Sequence, residues 1–212
     1  MKLLLTSAGI SNDTIKNKFF QMIGKKPEDI ILAYIPTAAN NSVGDKSWMT
    51  NNLDIVKGLG LARVDTVDFS AIPKSEWLSH LERVDVLYFE GGDPTYLAEE
   101  MIKSGFTDSL STALKNKLYV GCSAGSMVVG EEIIKSSKND LGYRNTKGFG
   151  LVDFSIRPHF NRGDRGLFTT DFIAELAKKF STKFYAIDDN SAIAVEDGIV
   201  EVISEGEYKE FK

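Results

Sequence analysis

In Leu118-Tyr119-Val120-Gly121-Cys122-Ser123-Ala124-Gly125-Ser126-Met127-Val128-Val129, one apolar run gives way to a glycine-flanked serine and then to a second apolar run. Residues 118–120 read as a strand and 125–129 as the start of a helix. A sharp strand-to-helix turn strains the backbone of its central residue and brings neighbouring main chain close, so only small residues fit on either side of it. The Ser123 hydroxyl then projects at the carboxyl edge of a sheet. The following helix aims free N–H groups and a positive dipole end at the same point, and the Ala124 amide is placed to stabilise an oxyanion. The competing reading is a glycine-rich β–α turn in which Ser123 is only a cap. Cys122 is expected to be a small buried hydrophobe and Ser126 a polar residue of the first helical turn.

Outward from this turn the first 130 residues alternate. Short apolar runs at 3–5, 30–35, 64–67, 84–89 and 118–121 suit strands buried on both faces of a parallel sheet. Helical spacing marks 12–23, 45–59, 75–81 and 95–104; in the second of these Trp48, Leu53, Val56 and Leu59 fall on one side. The alternation predicts a doubly wound α/β fold, a mostly parallel sheet sandwiched by helices. Beyond Gly130 the pattern loosens. Residues 135–150 are rich in Ser, Lys, Asn, Asp and Gly and read as a surface loop. A strand is expected at 155–157, a helix at 168–179, and strands at 184–188, 191–196 and 199–204, the last two joined by the Asp197-Gly198 turn as a C-terminal β-hairpin.

A chain of 212 residues with 42% hydrophobic content fits a single α/β domain over 1–212 that needs neither disulfides nor a structural metal. One cysteine allows no internal disulfide and suits a reducing cytoplasm. A net charge of -5 without a basic stripe argues against nucleic acid or an anionic membrane as partner. No apolar run approaches the roughly 20 residues that span a bilayer. The two histidines lack ligand-like spacing, so no metal is expected.

A serine becomes a useful nucleophile only beside a base. His80 falls on a helix and reads as a surface residue. His159 follows a strand in Arg157-Pro158-His159-Phe160-Asn161, at a strand end where α/β sites gather. The carboxylate that would fix the imidazole tautomer has several candidates: Asp188 and Asp189 at a strand end, Asp140 in the polar segment, and Glu131 and Glu132 after the helix. Strand-end position favours the 188–189 pair. A second oxyanion donor is expected from Glu90-Gly91-Gly92-Asp93-Pro94-Thr95, where glycines let a backbone N–H face a substrate oxygen. No Walker-type Lys follows it, which argues against a P-loop.

Taken in order, Leu3-Leu4-Leu5-Thr6-Ser7, Ile35-Pro36-Thr37-Ala38, Phe89-Glu90-Gly91-Gly92-Asp93-Pro94-Thr95, Gly121-Cys122-Ser123-Ala124-Gly125, Pro158-His159-Phe160 and Ile187-Asp188-Asp189-Asn190-Ser191-Ala192-Ile193 resemble the peptidase E group of serine peptidases, the relatives of aspartyl dipeptidase and cyanophycinase. The resemblance implies a fold related to class I glutamine amidotransferases, flavodoxin-like in architecture. It implies Ser123 as nucleophile, His159 as base, and the Gly92 and Ala124 amides as oxyanion hole. Asp189 stands where the family has a triad Glu, one methylene longer, and Asp140 resembles a second family Asp, an alternative acid. The arginine with which aspartyl dipeptidases hold an acidic side chain aligns with Thr169; Arg162 and Arg165 are the candidates to replace it, because guanidinium pairs well with carboxylate.

The expected activity is hydrolysis of short peptides, as a dipeptidase or aminopeptidase, without cofactor and in a monomer or homodimer. The alternatives are a non-catalytic or weakly catalytic peptide-binding relative, or an esterase using the same turn. An α/β-hydrolase places its acid before the histidine and the histidine near the C-terminus, an order this chain does not follow.

Overall fold

Alternating strands and helices make up the first part of the chain: β1 (Lys2–Thr6), α1 (Asp13–Ile23), β2 (Ile31–Ile35), α2 (Ser47–Lys57), β3 (Arg63–Thr66), α3 (Lys74–Leu81), β4 (Val86–Phe89), α4 (Pro94–Lys103), α5 (Leu110–Ala113), β5 (Leu118–Cys122) and α6 (Ala124–Met127). Then come β6 (Glu132–Ser137), β7 (Asp140–Lys147), β8 (Phe154–Arg157), α7 (Thr170–Ala177), β9 (Lys183–Ile187), β10 (Ser191–Glu196), β11 (Ile199–Ser204) and β12 (Tyr208–Phe211). This computed structural model describes residues 1–137, 140–163, 169–178 and 182–211.

The main sheet has seven strands in the order β11-β10-β1-β5-β4-β2-β3. β1 to β5 are parallel, and the β10–β11 hairpin adds to β1 antiparallel. Side chains alternate across it. Leu3, Leu5, Leu87, Phe89 and Tyr119 pack on one side with Trp77 of α3, Leu97 and Met101 of α4. Leu4, Leu32, Tyr34, Tyr88, Val120 and Cys122 pack on the other with Ile15, Phe19 and Met22 of α1 and Val56 of α2. Both faces are covered along β1, β2, β4 and β5, which is why these strands read as unbroken apolar runs, whereas β3, expected to be buried, is the edge strand and is exposed to partly buried. A second sheet, β12-β9-β8, lies on the α4 side, where Phe154, Ile156 and Phe184 join the first cluster.

Three features depart from expectation. Residues 135–150 are not a loop, because β6 and β7 form an antiparallel pair running from Glu132↔Lys147 to Ser137↔Asp140, with a register shift between Lys135 and Ser137. A two-stranded ladder satisfies its backbone within itself, so it can form without the apolar alternation that marks a strand in a packed sheet. Trp48 does not join the core side of α2 but is 37% exposed. β12 pairs with β9 from Tyr208↔Ile187 to Phe211↔Phe184, in a segment too polar to read as a strand.

Candidate active site

β5 ends between β1 and β4, with Gly121 aligned to Leu5 on one side and Phe89 on the other. The chain turns at Ser123, whose φ of 46° and ψ of -102° lie outside the ordinary regions for an L-residue, a strain of about 1–3 kcal/mol. The surroundings enforce it. A Cβ on Gly121 would stand 2.6 Å from Ser126 N, and one on Gly125 would stand 2.3 Å from Phe89 O. Backbone cannot swing aside as a side chain can, so both positions require glycine. Polar groups pin the turn as well: Ser123 N–H donates to Thr6 O at 3.0 Å, and Thr6 Oγ1 donates to Gly121 O at 2.8 Å. Ser126, expected to be an ordinary first-turn residue, is buried with its hydroxyl 2.8 Å from Thr6 O and 2.9 Å from Gly121 O.

Cys122 is buried, as expected. Burial first, and then the neighbouring Glu90 charge, push its thiol well up, so it stays protonated. The helix after the turn is shorter than its sequence suggests: α6 is a single turn of four residues. Few peptide dipoles align in so short a helix, so any help to an oxyanion comes from individual amides rather than a macrodipole.

The segment after β4 lies against this turn. The point where a Gly91 Cβ would stand is 3.4 Å from Ser123 Cβ and 3.6 Å from Trp48 Cζ3. Gly92 has a φ of 140°, and a Cβ there would meet Ala38 O at 2.2 Å. Asp93 then caps α4, its carboxylate accepting from Thr95 N and Tyr96 N, with Pro94 in the first turn. Gly91 N–H donates to Glu90 Oε1 and Asp93 N–H donates to Ala38 O. Among the described residues, the N–H groups of Gly92 and Ala124 have no hydrogen-bond partner within the chain.

His159 and Asp189 arrive from the second sheet. β8 and β9 are parallel neighbours with Arg157 beside Ala186, so the connections that leave them emerge together at the carboxyl edge. Phe160 N–H donates to Ile187 O at 3.0 Å, and His159 itself is held at a φ of 63°. The imidazole lies between two partners: Nε2 is 3.0 Å from Ser123 Oγ and Nδ1 is 2.6 Å from Asp189 Oδ1. Burial raises the Asp189 carboxyl, but the hydrogen bond from His159, the Ser7 hydroxyl and the Arg162 charge together hold it below the usual aspartate range. An ionised carboxylate can only accept, so Nδ1 carries the proton and Nε2 is left to accept from Ser123. The shorter carboxylate of an Asp suffices to reach the ring here.

Asp188 goes elsewhere: its carboxylate accepts from Asn190 N and Glu207 N, closing the turn before β10. Ser7, which no sequence motif marks as functional, joins the two arms of the site. Its hydroxyl accepts from His159 N at 2.8 Å and donates to Asp189 Oδ1 at 2.8 Å. The signal for it was its place just past β1, the strand beside the serine's own. Arg162 is exposed and close enough to act on Asp189. Thr169 caps α7 by accepting from Phe172 N. Arg165 lies outside the described residues; Asp140 begins β7, and its side chain is likewise not described. His80 is exposed on α3.

A cavity of about 860 Å³ lies at the opposite, amino-terminal edge of the sheet, bordered by Lys2, Asp85, Leu114 and Leu118. It holds none of the residues above. No helix among the described residues is long and apolar enough to cross a membrane.

Comparison with known proteins places the chain among peptidases. Residues 3–203 match the model of peptidase family S51. An uncharacterized peptidase of Listeria monocytogenes, Lmo0363, is 29% identical over 171 residues, covering 77% of this chain and 81% of its own length. The uncharacterized peptidase YgaJ of Bacillus subtilis is 28% identical over 134 residues, covering 62% of this chain and 56% of its own. Among solved structures, a protein of Listeria monocytogenes EGD-e provisionally named a peptidase E superposes with a TM-score of 0.78 at 24% identity, covering 97% of this chain and 98% of its own. A peptidase from an acI-B1 actinobacterium superposes with a TM-score of 0.73 at 23% identity, covering 100% of this chain and 90% of its own. At these identities the two structures speak to the fold.

Proposed function

The chain belongs to peptidase family S51, and from that membership we propose that it is a serine peptidase that hydrolyses short peptides, as a dipeptidase or aminopeptidase, through an acyl-enzyme on Ser123. The observation that supports this reading most is the unbroken run from Ser123 Oγ through His159 to Asp189 Oδ1, at 3.0 Å and 2.6 Å. In this mechanism His159 Nε2 takes the Ser123 proton as Oγ attacks the peptide carbonyl. Asp189, rather than Asp140, holds the imidazole and stabilises the imidazolium that forms. The tetrahedral oxyanion rests on the Gly92 and Ala124 amides. His159 then gives its proton to the leaving amine, and water, deprotonated by the same nitrogen, releases the acyl group. Arg162 is proposed to pair with an acidic group of the substrate.

A fluorophosphonate probe tests the nucleophile. Mass spectrometry should find one adduct, on Ser123, and Ser123→Ala should lose turnover by about 10⁶-fold with the thermal transition nearly unchanged. Failure of the probe to label Ser123, together with no turnover across a library of dipeptides and N-terminally free peptides, would end the peptidase reading. Preference for a first-position Asp in that library supports the Arg162 role; preference for apolar residues removes it.

A further inference from the structure

Beneath the Gly91–Gly92 segment lies a carboxylate that the proposed reaction does not use. Glu90 follows β4 with no exposed surface. Its carboxylate accepts from Tyr34 Oη of β2 at 2.6 Å, Asn52 Nδ2 of α2 at 3.0 Å and the N–H of Gly91 at 2.7 Å, and the Cys122 thiol lies against both the carboxylate and that N–H. Burial first, then the Glu90 charge, push the Tyr34 phenol up, so it remains a protonated donor. The same Asn52 amide lies 3.5 Å from Cys122 Sγ, the residue before Ser123. One buried cluster therefore touches both the glycine segment and the turn that carries the serine.

A Gly-Gly pair is the least self-determined piece of backbone a chain can place beside a reacting group, because glycine populates both signs of φ. Its own φ/ψ preferences therefore do not keep an N–H turned toward the site. Two bonds fix the orientation here. Asp93 N–H is fixed on Ala38 O at 2.9 Å on one side, and Gly91 N–H is fixed on Glu90 on the other. The Gly92 N–H between them is left for a ligand. An apolar side chain at position 90 would fill the space and provide no such anchor.

We propose that Glu90 is a positioning residue, whose buried carboxylate holds the Gly91 N–H inward so that the Gly92 N–H faces the oxyanion formed at Ser123. This inference rests on the peptidase reading, and its test keeps the two apart. Glu90→Met keeps the volume and removes the acceptor; Glu90→Gln keeps an acceptor for Gly91 N–H. Wild type and both variants are compared in labelling by fluorophosphonate, in kcat and KM on the best short peptide, and in affinity for a peptide aldehyde that forms the tetrahedral adduct. Glu90→Met should lower kcat by about 10²-fold with KM within about threefold. Aldehyde affinity should fall in proportion, while Glu90→Gln recovers most of both. Full aldehyde affinity in a folded Glu90→Met that still labels at Ser123 would overturn the positioning role and leave the peptidase reading standing. A wild type that neither labels nor turns over would overturn both. Should Glu90→Met fail to fold, amide exchange in the wild type decides: slow exchange at the Gly91 N–H is expected, and exchange at the rate of an open loop would overturn the proposal.

Discussion

The two arms of the site are built on different principles. Ser123 and Gly92 sit at the ends of β5 and β4, mid-sheet, and their backbone is held by contact: Cβ atoms at Gly92, Gly121 and Gly125 would meet main chain at 2.2, 2.6 and 2.3 Å. His159 and Asp189 come from the smaller sheet, with side chains 23% and 40% exposed, and are held by hydrogen bonds to each other and to Ser7. A position defined by excluded volume cannot be altered without disturbing the core behind it. A position defined by polar bonds at a partly solvated edge can lose a bond with little effect on the fold. Added volume at the glycines of the first arm should therefore appear in stability, and loss of a polar bond in the second should appear in rate.

The largest separation is expected at Asp189. Asp189→Asn keeps the shape but offers Nδ1 an amide, and it should lower kcat by ~10⁴-fold, about 5.5 kcal/mol of transition-state stabilisation, through the wrong tautomer. Its melting temperature should stay within about 3 °C of wild type. A large loss of melting temperature with activity preserved would invert the comparison. Gly125→Ala is the counterpart in the first arm. Its Cβ has no room before Phe89 O, and the variant should lose about 3 kcal/mol of stability, or roughly 10 °C in melting temperature. If thermal unfolding showed no change, packing would not be what holds the serine.

The same division decided what could be read from the sequence. Ser123 stood out because excluded volume leaves a mark in residue type: glycine at 121 and 125, apolar strand before, apolar helix after. Strands buried on both faces are legible for that reason: the apolar runs at 3–5 and 118–121 fall inside β1 (Lys2–Thr6) and β5 (Leu118–Cys122). Bonds leave a weaker mark. Ser7 and Ser126 are ordinary polar residues until the fold brings distant strands together, and a serine that joins His159 to Asp189 looks like one that meets water. Glu90 read as part of a turn, since nothing local announces Tyr34 and Asn52 as its partners. The β6–β7 pair and β12 are not legible because their sequences lack the alternation that a buried face imposes. Trp48 shares the helical spacing of the core stripe, but its ring lies beside Gly91 instead.

Ser7 offers a finer test. Ser7→Ala removes two hydrogen bonds, one to the His159 backbone and one to Asp189, but leaves the imidazole–carboxylate contact in place. The expected loss is about tenfold in kcat, about 1.4 kcal/mol, with a stability change near 1 kcal/mol. A loss as large as that of Asp189→Asn would make Ser7 an equal member of the arrangement rather than a brace for it.

The smallest effect expected is in the acid dependence of folding. Asp189 is held below the usual aspartate range in the folded chain, against the effect of its burial, by His159, Ser7 and Arg162. A carboxyl depressed on folding stabilises the native state above its unfolded value, near 3.9, and that contribution disappears as pH falls through the lower, folded value. Between about pH 5 and pH 2 the wild type should therefore lose slightly more stability than Asp189→Asn, measured by urea unfolding. Ser7→Ala, which removes one of the depressing bonds, should fall between them. Gly125→Ala changes no titrating group and should run parallel to wild type, displaced downward by a constant amount. Identical acid slopes for wild type and Asp189→Asn would mean that the polar arm gains nothing from ionisation of its acid. The contrast between an arm held by packing and an arm held by charge would then lose its second half.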